Sequence, residues 1–596
     1  MTKTLSLFHS LTLSLLLVSA SSSATNYYVA TTGSDSNSGT STSEPFFTVT
    51  KAAEMVQAGD VVYIASGTYS EMNITPAASG SSTAGYIVFR PLTDDATVVF
   101  TKSDNTSDDV SYPIFNIASK SYVWIRGLQF KDMTYLKAAL YMGGANHCVV
   151  TDCTFSSLGV EEQASYGGTA TVWMSNATNC TVQNCSFSDI FGDGICLSET
   201  NGGNLCCNNS FTGMKGTPRS WSATGKYSSG IIMQGTTNAL VNGYNLVCYN
   251  SFSGGQDAVW LDRGASSNAL VRNYGNGGQR LIFNESRCTN NWVQENVVVN
   301  ATQSGYRSAL YGDTEASQST RWIGNVAYGC PYGFYIDKSN GNEMKRNIVS
   351  GSTTYSMVYT QTAIDGGTNI FNGNAWYAPS LTSQIQYGGT AMNGSTFATT
   401  AGEVDGIYDT DPGTVDQVAP YYTLCGADAT KHYTESMPYF STVLTEVAEA
   451  GSVTVKVMLP KTSDSATTVY LTQMGGEATE NTDYALSAHS VTIPAGETSA
   501  DVTVTFIDNN TISKKLLLLG LTDASGNIAG TTPYTAFMIR QNEGTGISQV
   551  EKEEREKGTS SDVRNAEAGA VKKFFKDGHL IIVKDGKQYS VSGQQM

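Results

Sequence analysis

Two carboxylates, Asp262 and Glu285, occupy matching positions in the sequence. Each stands 11 residues before an asparagine, Asn273 and Asn296 respectively, and the two carboxylates are 23 residues apart. If 23 residues make one turn of a repeating structure, the carboxylates lie on neighbouring strands, roughly 5 Å apart. Trp260 precedes Asp262 by two residues, so the two side chains are expected on one exposed face of the same strand.

An aromatic ring beside a pair of carboxylates is typical of proteins that bind and cleave sugars. The ring packs on the apolar face of a pyranose, and the carboxylates supply acid–base chemistry. A separation of about 5–5.5 Å is typical of retaining glycosidases, whereas inverting enzymes leave room for a water molecule. In a retaining pair one group attacks the anomeric carbon, and the other protonates the leaving oxygen because its ionised neighbour raises its pKa.

Further side chains are expected on or near this face. Ser198 has the same 11-residue offset from its asparagine, and Asp337 stands ten residues before Asn347. A long insertion, "MKGTPRSWSATGKYSSG", one turn from Asp262, is predicted to form a wall of the site. The residues expected to bind sugar are Trp173, Trp221 and Trp260. The residues expected at the polar rim are Arg263 and Asp337.

The carboxylates belong to a pattern that repeats through the middle of the chain. Each copy has an apolar strand, a polar turn and an asparagine or cysteine before a further apolar run. The repeated positions, 22 to 41 residues apart, are Cys153, Cys185, Asn209, Asn250, Asn273, Asn296, Asn325, Asn347 and Asn374. The shorter separations suit one turn of a β-solenoid. Asparagines at a fixed corner hydrogen-bond to one another, which predicts a ladder.

The pattern resembles a right-handed parallel β-helix, so an all-β protein is expected. The opening resembles that of many secreted β-helix enzymes, with a polar loop "GSDSNSGT", a short helix "FTVTKAAEMV" and a first turn "GDVVYIASGTYSE". The helix is expected to cap the solenoid, because an open end exposes unpaired strands.

The segment "AVWLDRGASSNALVRNYGNGGQRLIFNESRCTNNWVQENVVVNA" resembles the catalytic stretch of glycoside hydrolase family 120, which are β-xylosidases on a β-helix. The shared elements are the WLD strand, the Arg-Asn corner, a glutamate that ends the next strand and the corner after it. The resemblance implies that Asp262 is the nucleophile and Glu285 the acid/base. Asn284 stands at an inward position where that family is expected to have valine, and the additional domain of the family is not found.

A second domain is expected after the solenoid. "GEATENTDY" and "VTIPAGETSADVTVTFIDN" resemble a Calx-β domain, an immunoglobulin-like sandwich whose acidic loops bind calcium in some members. The resemblance implies Glu449, Asp483 and Asp508 as calcium ligands. The alternative is a spacer or stabilising module without metal. Hydrolysis by a carboxylate pair requires no cofactor.

Five segments are predicted. They are a secretory signal peptide (1–24), the β-helix (25–435), the Calx-β-like sandwich (436–545), a charged linker (546–566) and a C-terminal β-hairpin segment (567–596). The last segment resembles short C-terminal segments of secreted Bacteroidetes proteins, some of which serve sorting. A bacterial secreted, periplasmic or cell-surface protein is therefore expected.

The composition argues against several partners. The chain has 35 Lys and Arg against 52 Asp and Glu, a net charge of −17, which argues against nucleic acids and anionic membranes. No membrane-spanning run is expected in the mature chain. A polysaccharide or oligosaccharide is the expected partner, and a monomer is the expected state. Of 11 cysteines, "HCVVTDCTF" and "NCTVQNCSF" place two pairs in matching repeat positions, which predicts stacked buried thiols.

Two other functions fit the same sequence. A polysaccharide lyase would abstract a proton from a uronic acid with a basic residue while calcium neutralises the carboxylate. Basic residues near the site are Lys215, Arg219, Lys226, Arg263, Arg280, Arg287 and Arg307. A non-catalytic glycan-binding surface protein would use the same fold without turnover.

Overall fold

The computed structural model is almost entirely β-structure. It describes residues 24–102, 112–134, 137–160, 170–199, 202–219, 222–235, 243–309, 315–365, 367–413, 425–428, 430–431, 433–434, 436–447, 450–508, 513–541, 572–576, 579–584 and 587–589. Three long sheets, named A, B and C, form the body of the molecule. No helix in these residues is long and apolar enough to cross a membrane.

The three sheets consist of short strands that lie one above another in successive turns. Sheet A contains β1 (Asn26–Val29), β2 (Val61–Ile64), β4 (Ile87–Pro91), β7 (Val123–Arg126), β10 (Val149–Thr151), β13 (Thr181–Gln183), β16 (Leu205–Cys207), β21 (Leu246–Cys248), β24 (Ala269–Val271), β27 (Trp292–Gln294), β31 (Arg321–Ile323), β35 (Glu343–Lys345) and β38 (Ile370–Asn372). Sheet B contains β3 (Gly67–Tyr69), β5 (Val98–Phe100), β8 (Gln129–Met133), β11 (Thr154–Leu158), β14 (Ser186–Ser188), β17 (Ser210–Thr212), β22 (Ser251–Ser253), β25 (Tyr274–Asn276), β28 (Val297–Val299), β32 (Val326–Tyr328), β36 (Ile348–Ser350) and β39 (Ala375–Tyr377).

Sheet C carries the predicted site. It contains β6 (Phe115–Asn116), β9 (Leu140–Tyr141), β12 (Ala170–Ser175), β15 (Asp193–Ser198), β20 (Ser229–Gln234), β23 (Asp257–Asp262), β26 (Arg280–Asn284), β29 (Ser304–Ser308), β33 (Tyr332–Ile336), β37 (Tyr355–Tyr359), β40 (Ile385–Tyr387) and β41 (Thr390–Met392). All its neighbouring strands pair in parallel except β40 and β41. The fold is a right-handed parallel β-helix, as predicted.

The interior of the β-helix is built from side chains that stack between turns. Aliphatic residues of sheet C, such as Val259 and Leu261, point inward and are fully buried. A row of phenylalanines from sheet B stacks with ring centroids 4.7 to 5.1 Å apart. Equivalent positions stack because neighbouring parallel strands are separated by about 4.8 Å. The repeat of the sequence is therefore the repeat of the core.

The predicted asparagine ladder is present at the corner before sheet B. Each side chain from Asn209 to Asn347 accepts or donates in an amide–amide hydrogen bond of 2.9 to 3.1 Å with the next turn. The ladder ends at Asn374, which donates to the Glu403 carboxylate at 2.7 Å. In earlier turns the predicted thiols take these corners, and Cys185 is fully buried beside Asn209. Each turn from Asn209 onward thus contributes one buried amide to the ladder.

A second asparagine ladder, not predicted from the sequence, stands at the corner before sheet A. It joins Asn204, Asn245, Asn268 and Asn291 by amide–amide bonds of 2.9 to 3.3 Å. The inward-pointing Asn284 of the site segment lies at its end, since it bonds to Asn291 at 3.4 Å and to Thr320 at 3.0 Å. An asparagine is tolerated in the core at this position because both groups of its amide find partners.

Short helices lie near both ends of the solenoid. Helix α1 (Val49–Met55) buries Val49, Ala52 and Ala53 against the first turn, and Thr48 caps its N-terminus. Helix α2 (Gln361–Asp365) follows β37, and α3 (Gly394–Ala401) begins at the cap residue Asn393. The predicted N-terminal capping helix is therefore present.

The C-terminal sandwich has two sheets. One contains β42 (Tyr439–Phe440), β44 (Gly451–Met458), β46 (Tyr484–Leu486) and β48 (Ser499–Phe506). The other contains β43 (Leu444–Val447), β45 (Thr467–Gly475), β47 (Ser490–Ile493), β49 (Ser513–Thr522) and β50 (Tyr534–Gln541). The remaining strands are β18 (Thr217–Arg219), β19 (Ser222–Tyr227), β30 (Ser317–Gln318), β34 (Ser339–Asn340), β51 (Lys572–Lys576), β52 (His579–Lys584) and β53 (Lys587–Tyr589).

The sandwich packs against the outer face of sheet A. Val271 and Trp292 of sheet A share one apolar cluster with Leu516 and Leu518 of β49. Polar contacts flank this cluster, including the Thr181–Thr532 hydroxyl pair at 2.8 Å and the Arg321–Glu477 ion pair at 3.4 Å. The two domains are joined by a continuous buried interface.

Candidate active site

The predicted column of polar side chains is present on sheet C. Ser175, Ser198, Gln234 and Asp262 are paired in register on β12, β15, β20 and β23. Leu261 pairs with Asn284, so Glu285 follows in the position next to Asp262 on the adjacent strand. Neighbouring strands place such residues roughly 5 Å apart at their backbones. The structure therefore brings the two predicted carboxylates together.

The expectation that Trp260 and Asp262 face water was wrong in one respect. Both point outward from the sheet, yet Trp260 is 4%, Asp262 3% and Glu285 6% exposed. An apolar cluster covers the sheet here, in which the ring of Phe283 stacks on Trp260 at 5.8 Å and Tyr227 lies at 6.2 Å. Tyr227 ends β19 in the long insertion. The two carboxylates are therefore buried beside an apolar cluster and do not lie on an open face.

Each carboxylate is held by an uncharged donor. The indole N–H of Trp260 donates to Glu285 Oε2 at 2.8 Å, and Gln234 Nε2 donates to Asp262 Oδ2 at 3.1 Å. The guanidinium of Arg263 lies beside the other oxygen of Asp262, with Nε 3.9 Å from Oδ1. The two carboxylates therefore have different partners. Asp262 is next to a cation, whereas Glu285 is bonded to a neutral indole.

The electrostatic environment separates the two groups. Burial is the largest cause that raises the pKa of Glu285 to about 8, and the nearby charges of Asp262 and Asp257 act in the same direction. The Trp260 hydrogen bond and the Arg263 charge lower this pKa, but their effect is smaller. A carboxylic acid with such a pKa stays protonated at neutral pH and can donate a proton. Glu285 is thus suited to general acid chemistry.

A buried ion pair lies on the same face of the sheet. Arg280 on β26 contacts Asp257 on β23, with Nε 2.6 Å from Oδ1 and Nη2 3.0 Å from Oδ2. The guanidinium also lies over the Phe283 ring at 4.3 Å from its centroid. Burial raises the pKa of Asp257, and the charges of Arg280 and Arg307 oppose that change. Buried charges of this kind are costly and are commonly found at functional sites.

The other sugar-binding candidates fall in different places. Trp173 occupies the register column of Trp260 but three strands earlier, which is roughly 14 Å away. Its indole donates to Ser198 Oγ at 2.9 Å, the same arrangement as Trp260 with Glu285. Asp337 follows β33 in the carboxylate column, two strands beyond Glu285, and accepts a bond from Thr360 at 3.0 Å. Trp221 lies outside the described residues.

The basic residues proposed for a lyase are placed differently from one another. Lys215 pairs with Asp189 at 3.1 Å and lies over the Phe191 ring at 5.2 Å. Arg219 and Lys226 belong to β18 and β19, an antiparallel pair within the insertion. Arg263 lies beside Asp262. Lys215 is therefore engaged in an ion pair away from the carboxylates, whereas Arg263 is positioned to act on Asp262.

The predicted calcium ligands lie in the sandwich. Asp483 is fully buried, and its carboxylate contacts Lys515 at 2.7 Å and accepts from the Thr479 N–H at 2.8 Å. Asp508 is exposed, and Glu449 lies outside the described residues. Within the residues that the structure describes, no group of three or more His, Cys, Asp or Glu could hold a metal ion. Calcium binding by the sandwich stays a prediction.

Gln234 and Asp257 are site residues for which the sequence analysis assigned no role. The 11-residue offset does not find Gln234, because Gln234 stands 16 residues before its ladder residue Asn250. Strand alignment would have found it, since "GIIMQ" matches "GICLS" residue by residue in the register of β20 and β15. Asp257 could have been found from its pairing with Arg280, one turn later at the same strand start.

The comparisons with known proteins concern the β-helix and the sandwich. A family model described as "Right handed beta helix region" matches residues 91–243, and one described as "Protein of unknown function (DUF1565)" matches residues 31–74. No curated protein sequence matches the chain.

Several solved structures are similar to parts of this chain. The complex of XylC with xylose is 11% identical, covering 75% of this chain and 91% of that chain, with a TM-score of 0.44. An exopolygalacturonase from Thermotoga maritima is 11% identical over 56% of this chain and 85% of that chain, with a TM-score of 0.34. CBD12 from CALX1.2 is 21% identical over 18% of this chain and 45% of that chain, with a TM-score of 0.16.

Proposed function

We propose that the protein is a secreted retaining glycoside hydrolase that acts on a plant or microbial oligosaccharide or polysaccharide. The observation that carries the proposal is the buried pair of Asp262 and Glu285, stacked on adjacent strands with unequal partners. Two neighbouring carboxyl groups with different partners, one of them with a raised pKa, are suited to distinct acid and nucleophile roles. The sugar it cleaves is the first property to determine.

In this proposal Asp262 is the nucleophile. Its oxygens are oriented by the Gln234 amide and the Arg263 guanidinium, both of which favour an ionised carboxylate. An ionised carboxylate at this position attacks the anomeric carbon, and a covalent glycosyl–enzyme intermediate forms as the glycosidic bond breaks. Burial of the pair excludes water, so that hydrolysis waits until the leaving group has departed.

Glu285 is the acid/base. It is protonated at neutral pH, and it transfers this proton to the leaving oxygen as the bond breaks. The bond from Trp260 to Oε2 orients the carboxyl group, so that Oε1 faces the scissile bond in this mechanism. The resulting carboxylate then removes a proton from the water that cleaves the intermediate, with net retention of configuration. The reaction needs no group beyond these side chains and water.

The apolar surface beside the pair supports a sugar as substrate. Trp260 and Phe283 stack on the same face as the carboxylates, and the half-buried rings of Trp173 and Tyr227 pack against this apolar cluster. Aromatic rings pack on the apolar face of a pyranose, and polar groups at the edge of the ring bind its hydroxyls. Trp173 and Trp221 are proposed to bind further parts of the sugar chain, with Arg263 and Asp337 at the polar rim.

The proposal is tested by finding the substrate and then labelling the nucleophile. A panel of 4-nitrophenyl glycosides identifies the sugar, and NMR of the first product gives its anomeric configuration. A 2-deoxy-2-fluoro glycoside of that sugar is expected to trap a covalent adduct, and peptide mass spectrometry is expected to locate it on Asp262. Asp262→Asn should form no adduct.

The matched control is Asp132→Asn, which removes an exposed carboxylate from the outer side of sheet B. This variant should keep wild-type turnover. Inverted product, or an adduct on another residue, would contradict the proposal. If uronic acid polymers instead give an unsaturated product that absorbs ultraviolet light, and hydrolysis is absent, the protein is a lyase. A panel that binds but shows no turnover would indicate a glycan-binding protein.

A further inference from the structure

The outer face of sheet C changes character along the axis of the β-helix. At β23 and β26 it is closed, since Trp260 and Phe283 are 4% and 3% exposed. From β29 onward the same register column continues with Arg307 and Tyr335, and both of these side chains are only half-buried. The outer face of sheet C is therefore more exposed at Arg307 and Tyr335 than beside the carboxylate pair.

Three tyrosines form a cluster on this open part of the face. Tyr332 and Tyr335 both lie on β33, with their ring centroids 5.5 Å apart in an edge-on arrangement. Tyr332 also stacks on Tyr355 of β37 at 6.4 Å. The guanidinium of Arg307 lies over the Tyr335 ring at 5.0 Å and donates to Gln303 at 3.2 Å. The group of Tyr332, Tyr335 and Tyr355 is named the tyrosine cluster.

The tyrosine cluster is aligned with the carboxylate pair. Successive strands in register carry Trp260, Phe283, Arg307 and Tyr335. The spacing between these strands is about 4.8 Å, which is similar to the length of one sugar unit in an extended glycan. A glycan that lies along the helix axis over the more exposed part of the face, from β29 onward, would therefore meet one register position of sheet C per sugar. Aromatic rings with adjacent polar groups are suited to bind each unit.

The order of the two carboxylates along the axis gives the chain a direction. Asp262 on β23 is the group that attacks the anomeric carbon, and Glu285, one strand further on, protonates the leaving oxygen in the proposed function. The leaving group must therefore lie on the Glu285 side of the cleaved bond. On that side the face continues over β29, β33 and β37 to the tyrosine cluster.

From this arrangement we infer that the tyrosine cluster, together with Arg307, is a binding site for the leaving-group portion of an oligosaccharide. The inference rests on the proposed function, because the roles of Asp262 and Glu285 set the direction of the chain. It assigns the cluster a second role in the reaction: an incoming acceptor sugar bound there would attack the glycosyl–enzyme intermediate, so that transfer competes with hydrolysis. In that step the acceptor hydroxyl loses its proton to Glu285 as its oxygen bonds to the anomeric carbon and the Asp262 ester breaks.

The experiment compares substrates with short and long leaving groups. For the sugar identified by the glycoside panel, kcat/KM is measured on the 4-nitrophenyl glycoside and on oligosaccharides of two to five units. The wild-type value is expected to rise with length beyond the disaccharide. In Tyr335→Ala this rise is expected to be lost. The value of kcat/KM on the longest substrate should fall about tenfold, mainly through a higher KM, whereas kcat/KM on the 4-nitrophenyl glycoside should change little.

Two further variants separate binding from folding. Tyr335→Phe keeps the ring and is expected to keep the length dependence, whereas Tyr332→Ala should weaken it. Tyr328→Ala, which removes an exposed tyrosine of β32 in sheet B, is the matched control and should behave as wild type. Reactivation of the trapped 2-fluoroglycosyl enzyme by added oligosaccharide should be faster than by water in the wild type, and this advantage should be lost in Tyr335→Ala.

The outcomes distinguish the two proposals. If the wild type cleaves its substrates but the length dependence and acceptor reactivation survive in both Tyr335→Ala and Tyr332→Ala, the tyrosine cluster is not a leaving-group site, while the hydrolase proposal stands. If the wild type cleaves no glycoside in the panel, the proposed function fails and this inference fails with it. An equal loss on the 4-nitrophenyl glycoside and on long substrates would also overturn it, because the variant would then have damaged the carboxylate pair.

Discussion

The outer faces of sheets A and C are both buried over the same turns of the β-helix, but in different ways. Sheet A presents Val271 and Trp292 to the sandwich, and the interface between them is an apolar cluster with polar contacts at its edge. Sheet C buries Asp262 and Glu285 beside a cluster of aromatic and small apolar side chains. Apolar burial stabilises the fold, whereas burial of charge costs free energy. The outer face of sheet C, where burial of the carboxylates costs free energy, is the face where we expect the reaction.

Hydrogen bonding supports the same distinction. On sheet A an apolar cluster of aliphatic, aromatic and thiol side chains faces the sandwich, and polar contacts such as the Arg321–Glu477 ion pair lie at its edge. On sheet C the Trp260 indole, the Gln234 amide and the Arg280 guanidinium all hold carboxylates. Residues that position a charge in this way contribute to function and not to net stability. Substitutions on the two faces should therefore have opposite effects on activity and on stability.

The largest effect is expected from Asp262→Asn. Loss of the nucleophile should lower kcat by about 10⁴-fold, as expected for removal of a group that acts only in the chemical step. The free energy of unfolding should be unchanged or higher, because a buried charge beside Glu285 is removed. Steady-state kinetics and urea unfolding of the same preparation test both parts. If Asp262→Asn lowered the free energy of unfolding by several kcal/mol, the expected difference between sheets A and C would be contradicted.

On sheet A the corresponding change is Val271→Asp. A single unpaired carboxylate in the apolar interface should lower the free energy of unfolding by about 3–5 kcal/mol. The kcat of the molecules that remain folded should not change, since sheet C is untouched. The control is Ile370→Asp on β38, because Ile370 is 46% exposed, and its effect should stay within about 0.5 kcal/mol. The stability of the two variants is compared by thermal unfolding followed by circular dichroism, and kcat is measured on the same preparations.

A smaller effect is expected from Trp260→Phe. The indole bond lowers the pKa of Glu285, so its loss should raise that pKa and shift the alkaline limb of kcat/KM to higher pH. As Glu285 gives up its proton, the indole bond becomes charge-assisted and contributes about 1.5–3 kcal/mol, so kcat should fall roughly tenfold or more in its absence. The readout is the complete pH profile. A fall in rate with an unmoved limb would mean that Trp260 binds sugar without positioning Glu285.

The smallest change is the pH response of the wild-type protein. Because the pKa of Glu285 is raised from 4.5 to about 8, kcat/KM should fall as pH rises through about 8. The unfolded chain ionises this glutamate near its ordinary pKa while the folded chain keeps it neutral. Its contribution to folding stability is therefore greatest at low pH and decreases as pH rises between these two values. Glu285→Gln should lack both the kinetic limb and this component of the stability profile.

Much of the fold could be predicted because the repeat is written into the sequence. The corner asparagines hydrogen-bond to one another from turn to turn, as Asn209 does with Asn250 and Asn250 with Asn273. An asparagine therefore recurs in the sequence each time one of these turns is completed. Alternation placed Val259 and Leu261 inward, and the 11-residue offset placed Asp262 beside Glu285. The capping helix α1 was also expected. Local spacing was sufficient in these cases because successive turns are stacked in a single register.

Other features depended on contacts between distant segments. The second asparagine ladder was missed because its positions are separated by the same variable turns, and the offset rule followed only one corner. The sequence does indicate that the outer face of sheet A is covered. Leu205–Cys207, Leu246–Cys248 and Ala269–Val271 are continuous apolar strands, which indicates burial of both faces. The identity of the covering partner cannot be read from those strands.

By itself the sequence determined the solenoid, its turn length and the pairing of the two carboxylates, because these follow from short-range spacing along one repeating register. Only the tertiary structure decided that the pair is buried. The covering of Trp260 depends on Tyr227 and Phe283, which come from an insertion and a neighbouring turn. The acidity of Glu285 depends in turn on that burial, since desolvation is the largest cause of its raised pKa. Spacing placed the carboxylates side by side, and long-range packing made them chemically unequal.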